Sequence, residues 1–329
     1  MKRNYRALFF VLIFLLLFSV AACQNTDAAR SEKPLEIAVD NWPGFMPAIL
    51  ADELGYFDDA GVNVDVIYSE NARQQRLEFE GGAYDGITLS LGSLIAVSNK
   101  APDTRVIFLT DISTTGDAVV AGPDIETIAD LKGKRIVLGS AGYGEVVVSV
   151  MLEEAGLTRD DVIWVAMQDE NEAVQMLQDG RVDAFQTWEP YVSRAVDNGA
   201  KVIFTGADVP GLIPDAIGFH EATLRERPED VLAFTEAWFR AVDYWLANPD
   251  DAARLISNVV TLSEEEVSLD GLELLTLEEN LDFFVQRDDF SSVYHAAAIY
   301  IDFFSKNGVI DRPLDINELL DDSFIAQLP

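Results

Sequence analysis

The stretch Asp183-Ala184-Phe185-Gln186-Thr187-Trp188-Glu189-Pro190-Tyr191 joins a short apolar run to an indole ring, a carboxylate and a proline. Residues 184–186 read as a buried strand, and Pro190 suits the first turn of a following helix, where its missing N–H is not needed. A strand end of this composition supplies a flat apolar wall and one placed charge, the ingredients of a ligand pocket. The stretch also has a counterpart upstream. Gly180-Arg181-Val182-Asp183 leads into Ala184-Phe185-Gln186-Thr187 as Gly82-Ala83-Tyr84-Asp85 leads into Gly86-Ile87-Thr88.

The likeness extends further back from both stretches. Each is preceded by a strand (35–39 and 135–138) and a loop, Asp40-Asn41-Trp42-Pro43-Gly44 in one copy and Gly139-Ser140-Ala141-Gly142-Tyr143 in the other. A helix follows, then Asp58-Asp59-Ala60-Gly61 or Glu153-Glu154-Ala155-Gly156, a second strand and a second helix. The interval from loop to aspartate is 45 residues between Asp40 and Asp85 and 44 between Gly139 and Asp183. A repeat at this scale means that one supersecondary unit is used twice. Asp183, recurring as Asp85, reads as framework, whereas Trp188 and Glu189 have no like residue in the first copy and read as ligand-selecting.

Short apolar runs alternating with amphipathic stretches predict an α/β protein with mostly parallel strands, at 35–39, 62–68, 86–89, 106–110, 118–121, 135–138, 162–165, 184–186 and 201–204. Beyond Pro228 helices are expected at 228–247, 249–259, 275–284 and 291–307. In the first of these, Val231, Phe234, Trp238, Ala241, Val242 and Trp245 recur at spacings of three and four, so these aromatics belong to the core. Two like units imply two lobes facing each other across a cleft. Lobe 1 is expected to comprise residues 34–116 and 210–329, with extra C-terminal helices, and lobe 2 residues 117–209. Pro210, Gly211 and Pro214 mark the return crossing.

In open α/β sheets the binding crevice lies outside the carboxyl ends of the strands. That places loops 41–44, 88–92, 139–144 and 187–190 at the cleft. Candidate ligand-binding residues are therefore Asn41, Trp42, Ser90, Asp111, Ser140, Tyr143, Trp188 and Glu189. The glycine-rich loop at 139–144 opens a helix and offers backbone N–H groups to an acidic group. Carboxylates crowd the region at Asp40, Asp111, Asp117, Glu145, Glu189 and Asp215, and none of the four loops contains lysine or arginine. A bare anion is disfavoured there, and an amine-bearing or neutral heteroaromatic solute fits better.

Lys2, Arg3 and Arg6 precede an apolar run from Ala7 to Leu17 that ends in small residues at Ala21-Ala22-Cys23. This is the form of a secretion leader (1–22), too short for a membrane span. Cys23, the single cysteine, is the expected lipidation site, and 23–33 a polar tether. Acidic residues outnumber basic ones 57 to 23, with three of the basic residues in the leader. Such a surface repels nucleic acid and anionic lipid head groups.

Val20-Ala21-Ala22-Cys23, the Trp42-Pro43-Gly44 loop, Ala51-Asp52-Glu53-Leu54-Gly55-Tyr56-Phe57, Asp130-Leu131-Lys132-Gly133-Lys134-Arg135 and Thr187-Trp188-Glu189-Pro190 together resemble the nitrate/sulfonate/taurine/thiamine-precursor group of ABC-transporter substrate-binding proteins. The resemblance implies a two-lobed periplasmic-binding-protein fold of the second type and a lipid-anchored, extracytoplasmic monomer. It also implies a permease and an ATPase on separate chains, and no cofactor or metal. It names no ligand, since members bind anions, zwitterions and heteroaromatic vitamin precursors on one frame. A sensor partner of a membrane signalling protein is the alternative. Pyrimidine-synthesising relatives use a cysteine-rich motif that this chain lacks, and His220 and His295, its two histidines, are too isolated for a triad, so catalysis is not expected.

Overall fold

The computed structural model describes residues 33–138 and 142–329. Two sheets carry the fold. The first contains β1 (Leu35–Val39), β2 (Val64–Tyr68), β3 (Gly86–Ser90), β4 (Thr104–Ser113), β10 (Pro214–His220) and β11 (Leu272–Leu274), in the order β11-β4-β10-β3-β1-β2. The second contains β5 (Asp117–Ala121), β6 (Arg135–Val137), β7 (Ile163–Val165), β8 (Ala184–Trp188) and β9 (Lys201–Thr205), in the order β7-β6-β8-β5-β9.

The sequence repeat is a topological repeat. In the first sheet β1 pairs in parallel with β2 and β3, and β10 runs antiparallel between β3 and β4. In the second, β6 pairs in parallel with β7 and β8, and β5 runs antiparallel between β8 and β9. The framework reading of the recurring aspartate holds, because Asp85 Oδ2 accepts from the Glu36 N–H at 3.0 Å and Asp183 Oδ2 accepts from the Arg135 N–H at 2.8 Å. Each carboxylate thus pins the start of the first strand in its unit.

The two antiparallel strands are the ones that cross between lobes, and this fixes the site. β5 enters the second sheet at the carboxyl end of β8, so Asp117 pairs with Trp188. β10 enters the first sheet at the carboxyl end of β3, so Asp215 pairs with Ser90 on one side and with Asp111 on the other. Both crossings deliver a carboxylate to the crevice.

Pro228–Ala247 forms one helix whose Val231, Phe234, Trp238, Ala241, Val242 and Trp245 are buried, as their spacing predicts. Phe234 stacks on Phe57 at 5.5 Å and Trp238 packs on Phe108 at 5.3 Å, binding the C-terminal helices to the first sheet. Two differences from the sequence reading concern the cleft. β8 runs on through Trp188, so this ring sits on a strand end rather than in a turn. β11 was absent from the expected strands, since Leu-Glu-Leu is too short for a periodic signal, and the following helix is Leu277–Phe283. Among the described residues no helix is long and apolar enough to cross a membrane.

Candidate functional site

The crevice between the sheets is lined by Asp40, Trp42, Phe45 and Ala72 from the first copy and its flanking helices, and by Leu89 and Ser90 at the end of β3. Asp117, Tyr143, Trp188 and Asp215 complete it. The space between them is about 30 Å³, enough for one or two waters and too small for a ring-sized solute without movement of the lining.

Trp42 follows β1, and its backbone N–H donates to Asp40 Oδ1 at 2.9 Å, a tight local turn. That turn aims the indole inward, where Nε1 donates to Asp111 at 3.1 and 3.2 Å. Gly44 is required alongside, because a Cβ there would lie 1.9 Å from Asp111 Oδ2. Thr110 Oγ1 adds a second donor to Asp111 at 2.8 Å. Asp117 accepts from the Tyr143 hydroxyl, whose oxygen in turn accepts from Gln186 Nε2 at 3.3 Å.

Three buried carboxylates, Asp40, Asp117 and Asp215, therefore line one crevice, with a fourth, Asp111, bonded to the Trp42 indole, and no lysine or arginine is among its described lining residues. Desolvation pushes Asp40 and Asp111 up to about 7 and Asp117 up to about 6. Asp215 is raised well above the carboxylate range by burial first and then by the Asp111 and Asp117 charges. An arrangement like this one resists filling with negative charge and favours a ligand that brings positive charge or N–H donors.

The aromatic lining is polar at its edges. Trp188 is 5% exposed, lies 6.5 Å from Tyr143 and 6.0 Å from Tyr191 between ring centres, and its Nε1 has no acceptor among the described residues. Across the cleft Asn41 Nδ2 donates to the Tyr191 hydroxyl at 3.1 Å, leaving Asn41 Oδ1 without a partner.

Of the sequence candidates, Asn41, Trp42, Ser90, Asp111, Tyr143 and Trp188 come together here. Glu189 does not. Its carboxylate turns back to Ser193, accepting from the backbone N–H at 3.1 Å and the hydroxyl at 2.9 Å, and so serves the helix Tyr191–Asp197. A carboxylate four residues before Ser193 meets the free N–H groups of the helix's first turn. Ser140 and Cys23 lie outside the described residues. Asp40, Asp117 and Asp215 were visible as charges near the cleft but not as its lining. The missing signal was the pairing of β5 and β10, which aligns Asp117 with Trp188 and Asp215 with Asp111.

His220 pairs with Asp103 at 3.2 Å and stacks on Phe79 at 4.2 Å, and His295 meets the Phe290 ring edge-on, both away from the crevice. No group of three or more metal-ligating side chains occurs among the described residues.

A family model described as NMT1/THI5 like matches residues 42–252. The chain belongs to that family. Among curated proteins it is 26% identical to a putative aliphatic sulfonates-binding protein of Bacillus subtilis, over 96% of this chain and 95% of the relative. It is 23% identical to a formylaminopyrimidine-binding protein of Halalkalibacterium halodurans, over 84% of each. Among solved structures, the alkanesulfonate-binding protein SsuA of Xanthomonas axonopodis pv. citri, bound to MOPS, superposes with a TM-score of 0.72 at 15% identity, covering 89% of this chain and 99% of that one. The fold is thus that of two-lobed, type II periplasmic binding proteins, and this member of the sulfonate/NMT1-like group is a solute-binding protein of the ABC-importer type. The matches are mainly binding proteins. Likeness to periplasmic sulfonate-binding proteins supports an extracytoplasmic location.

An ion pair joins the helix Tyr191–Asp197, which follows β8, to the segment before β11. Arg194, on the helix Tyr191–Asp197, meets Glu266 at 2.9 Å, and its guanidinium also lies 5.3 Å from the Tyr191 ring. Both side chains are about one-third exposed, so solvent screening limits their worth. Arg194→Ala is expected to weaken ligand affinity about two- to fivefold, with the difference shrinking in high salt. Titration calorimetry at two ionic strengths checks this, and a salt-independent loss would assign Arg194 another role.

Proposed function

We propose that this protein captures a small amine-bearing heteroaromatic solute, of the aminopyrimidine type, and delivers it to a membrane permease driven by a separate ATPase. Cys23 is its lipid anchor in this reading. The carrying observation is the set of three buried carboxylates, Asp40, Asp117 and Asp215, with no basic side chain among the described lining residues. A protonated or amino-substituted ring matches this lining. Its positive edge or N–H groups meet Asp40, Asp117 and Asp215, and its faces lie against Trp42, Tyr143 and Trp188.

The sulfonate-binding relatives favour a second reading, a zwitterion such as an aminosulfonate. Its ammonium would occupy the same carboxylates and its sulfonate the N-terminal turn of the helix Gly144–Glu154. A simple alkanesulfonate or nitrate supplies no positive charge and would face the carboxylates unscreened.

Calorimetric titration of the purified protein with aminopyrimidines, taurine, alkanesulfonates and nitrate separates these readings. Tight binding is expected for aminopyrimidines and none for nitrate. Tight nitrate or alkanesulfonate binding would overturn the proposal.

A further inference from the structure

Asp111 and Asp215 are register partners across β4 and β10, both are buried, and each feels the other's carboxyl group. Two ionised carboxylates on one antiparallel rung repel, and a hydrogen bond between them requires a proton. The neighbours settle which oxygen carries it. Asp111 already receives the Trp42 indole N–H on both oxygens, at 3.1 and 3.2 Å, and the Thr110 hydroxyl at 2.8 Å. These donors stabilise the ionised form of Asp111 over its acid. Asp215 has no such set, so Asp215 is the acid and Asp111 the anion it donates to.

Asp215 also lines the crevice, on the same wall as Ser90 and opposite Trp188, whose buried Nε1 is without an acceptor. The charged and titratable groups facing Asp215 are Asp111 on β4, Asp117 on β5 and Asp40 after β1. Tyr143 and Tyr300 also face it, the latter from the helix Val293–Lys306 with its hydroxyl donating to the Leu212 carbonyl at 3.0 Å. None of these brings positive charge. Burial and this acidic surround hold the proton in place while the crevice contains no cation. Because β4 and β10 belong to one sheet, the pair does not depend on lobe closure.

We propose that Asp215 exchanges its proton for a cationic solute, so that capture of each monocation releases one proton to solvent and leaves an Asp111–Asp215 dianion facing the bound charge. This rests on the amine-bearing ligand read above. The charge count is conserved: the O–H bond of Asp215 breaks, its electron pair stays on the carboxylate, and the solute supplies the replacement positive charge. Binding that releases a proton strengthens with pH. Affinity rises up to tenfold per pH unit while Asp215 in the free protein remains protonated.

The test has two arms. In the ligand-free protein at pH 7, the infrared spectrum should contain a protonated carboxylic acid band that Asp215→Asn removes. Asparagine keeps a donor to Asp111 and a carbonyl toward the crevice, and circular dichroism in parallel checks the fold. Absence of the band in the wild type overturns the assignment of the proton.

In the second arm, 4-amino-5-aminomethyl-2-methylpyrimidine is titrated calorimetrically in buffers of different ionisation enthalpy. Wild type should release one more proton per ligand than Asp215→Asn, a difference that cancels any proton change on the probe. Binding with equal proton release overturns the exchange. The acid band together with no binding of this probe overturns the aminopyrimidine reading while the shared proton stands.

Discussion

Asp40→Asn is expected to weaken capture of a cationic solute by about 100-fold or more, while raising the melting temperature of the ligand-free protein above pH 7. The two effects have one cause. Asp40 is 5% exposed and lines the crevice, and among the described residues its one hydrogen bond is from the Trp42 N–H, so most of its carboxylate is unsolvated. Desolvation, then the charges of Glu170 and Asp111, push it up to about 7, against the Trp42 N–H that holds it down. An acid raised in the folded state contributes stability that is present below the usual carboxylate range and lost as pH rises through about 7. Ionised Asp40 therefore destabilises the ligand-free form at pH 8. A bound cation reverses the sign, and truncating one partner of a buried charge pair costs about 2–5 kcal/mol. Asparagine keeps the turn to Trp42 but cannot ionise. Calorimetry gives the affinity and differential scanning fluorimetry at pH 6 and pH 8 gives the stability. Unchanged affinity, or a variant no more stable at pH 8, would remove Asp40 from the recognition surface.

The parts legible in the sequence were those carried by local pattern. The repeated Gly-x-x-Asp before β3 and β8 revealed two like units, and Asp85 and Asp183 make equivalent bonds to Glu36 and Arg135. The spacing from Val231 to Trp245 gave a core-facing helix, and the loop after β1 placed Trp42 at the cleft. What was hidden depended on pairing between distant segments. Asp215 is one acid among many until β10 sets it against Asp111, and Asp117 until β5 sets it against Trp188. Glu189 shows the opposite: its position beside Trp188 suggested the ligand, but Ser193, four residues on in the helix Tyr191–Asp197, offered it nearer donors. Local propensity explains elements, and charge recognition here is made by long-range register.

Trp188→Ala is expected to lower ligand affinity by about 100-fold without loss of the fold, and Trp188→Phe to recover most of that loss. Trp188 is the last residue of β8, and the strand's anchor is Phe185, fully buried three residues earlier. The indole's ring neighbours are Tyr143 and Tyr191, both cleft residues, rather than the aromatic core around Trp238. Its removal therefore widens a crevice instead of excavating a core, and the stability loss should fall below the about 3–5 kcal/mol of a buried Trp→Ala change. Affinity is more exposed, since a large aromatic wall residue commonly contributes about 2 kcal/mol or more to binding. The Nε1 that lacks an acceptor among the described residues adds a donor for a ring nitrogen or carbonyl of the solute, which phenylalanine cannot supply. The affinity gap between Trp188→Phe and wild type therefore measures that one hydrogen bond, about three- to tenfold. Calorimetry on both variants, with circular dichroism for the fold, decides the matter. Unfolding of Trp188→Ala would return this ring to the core, and wild-type affinity would place the solute elsewhere in the cleft.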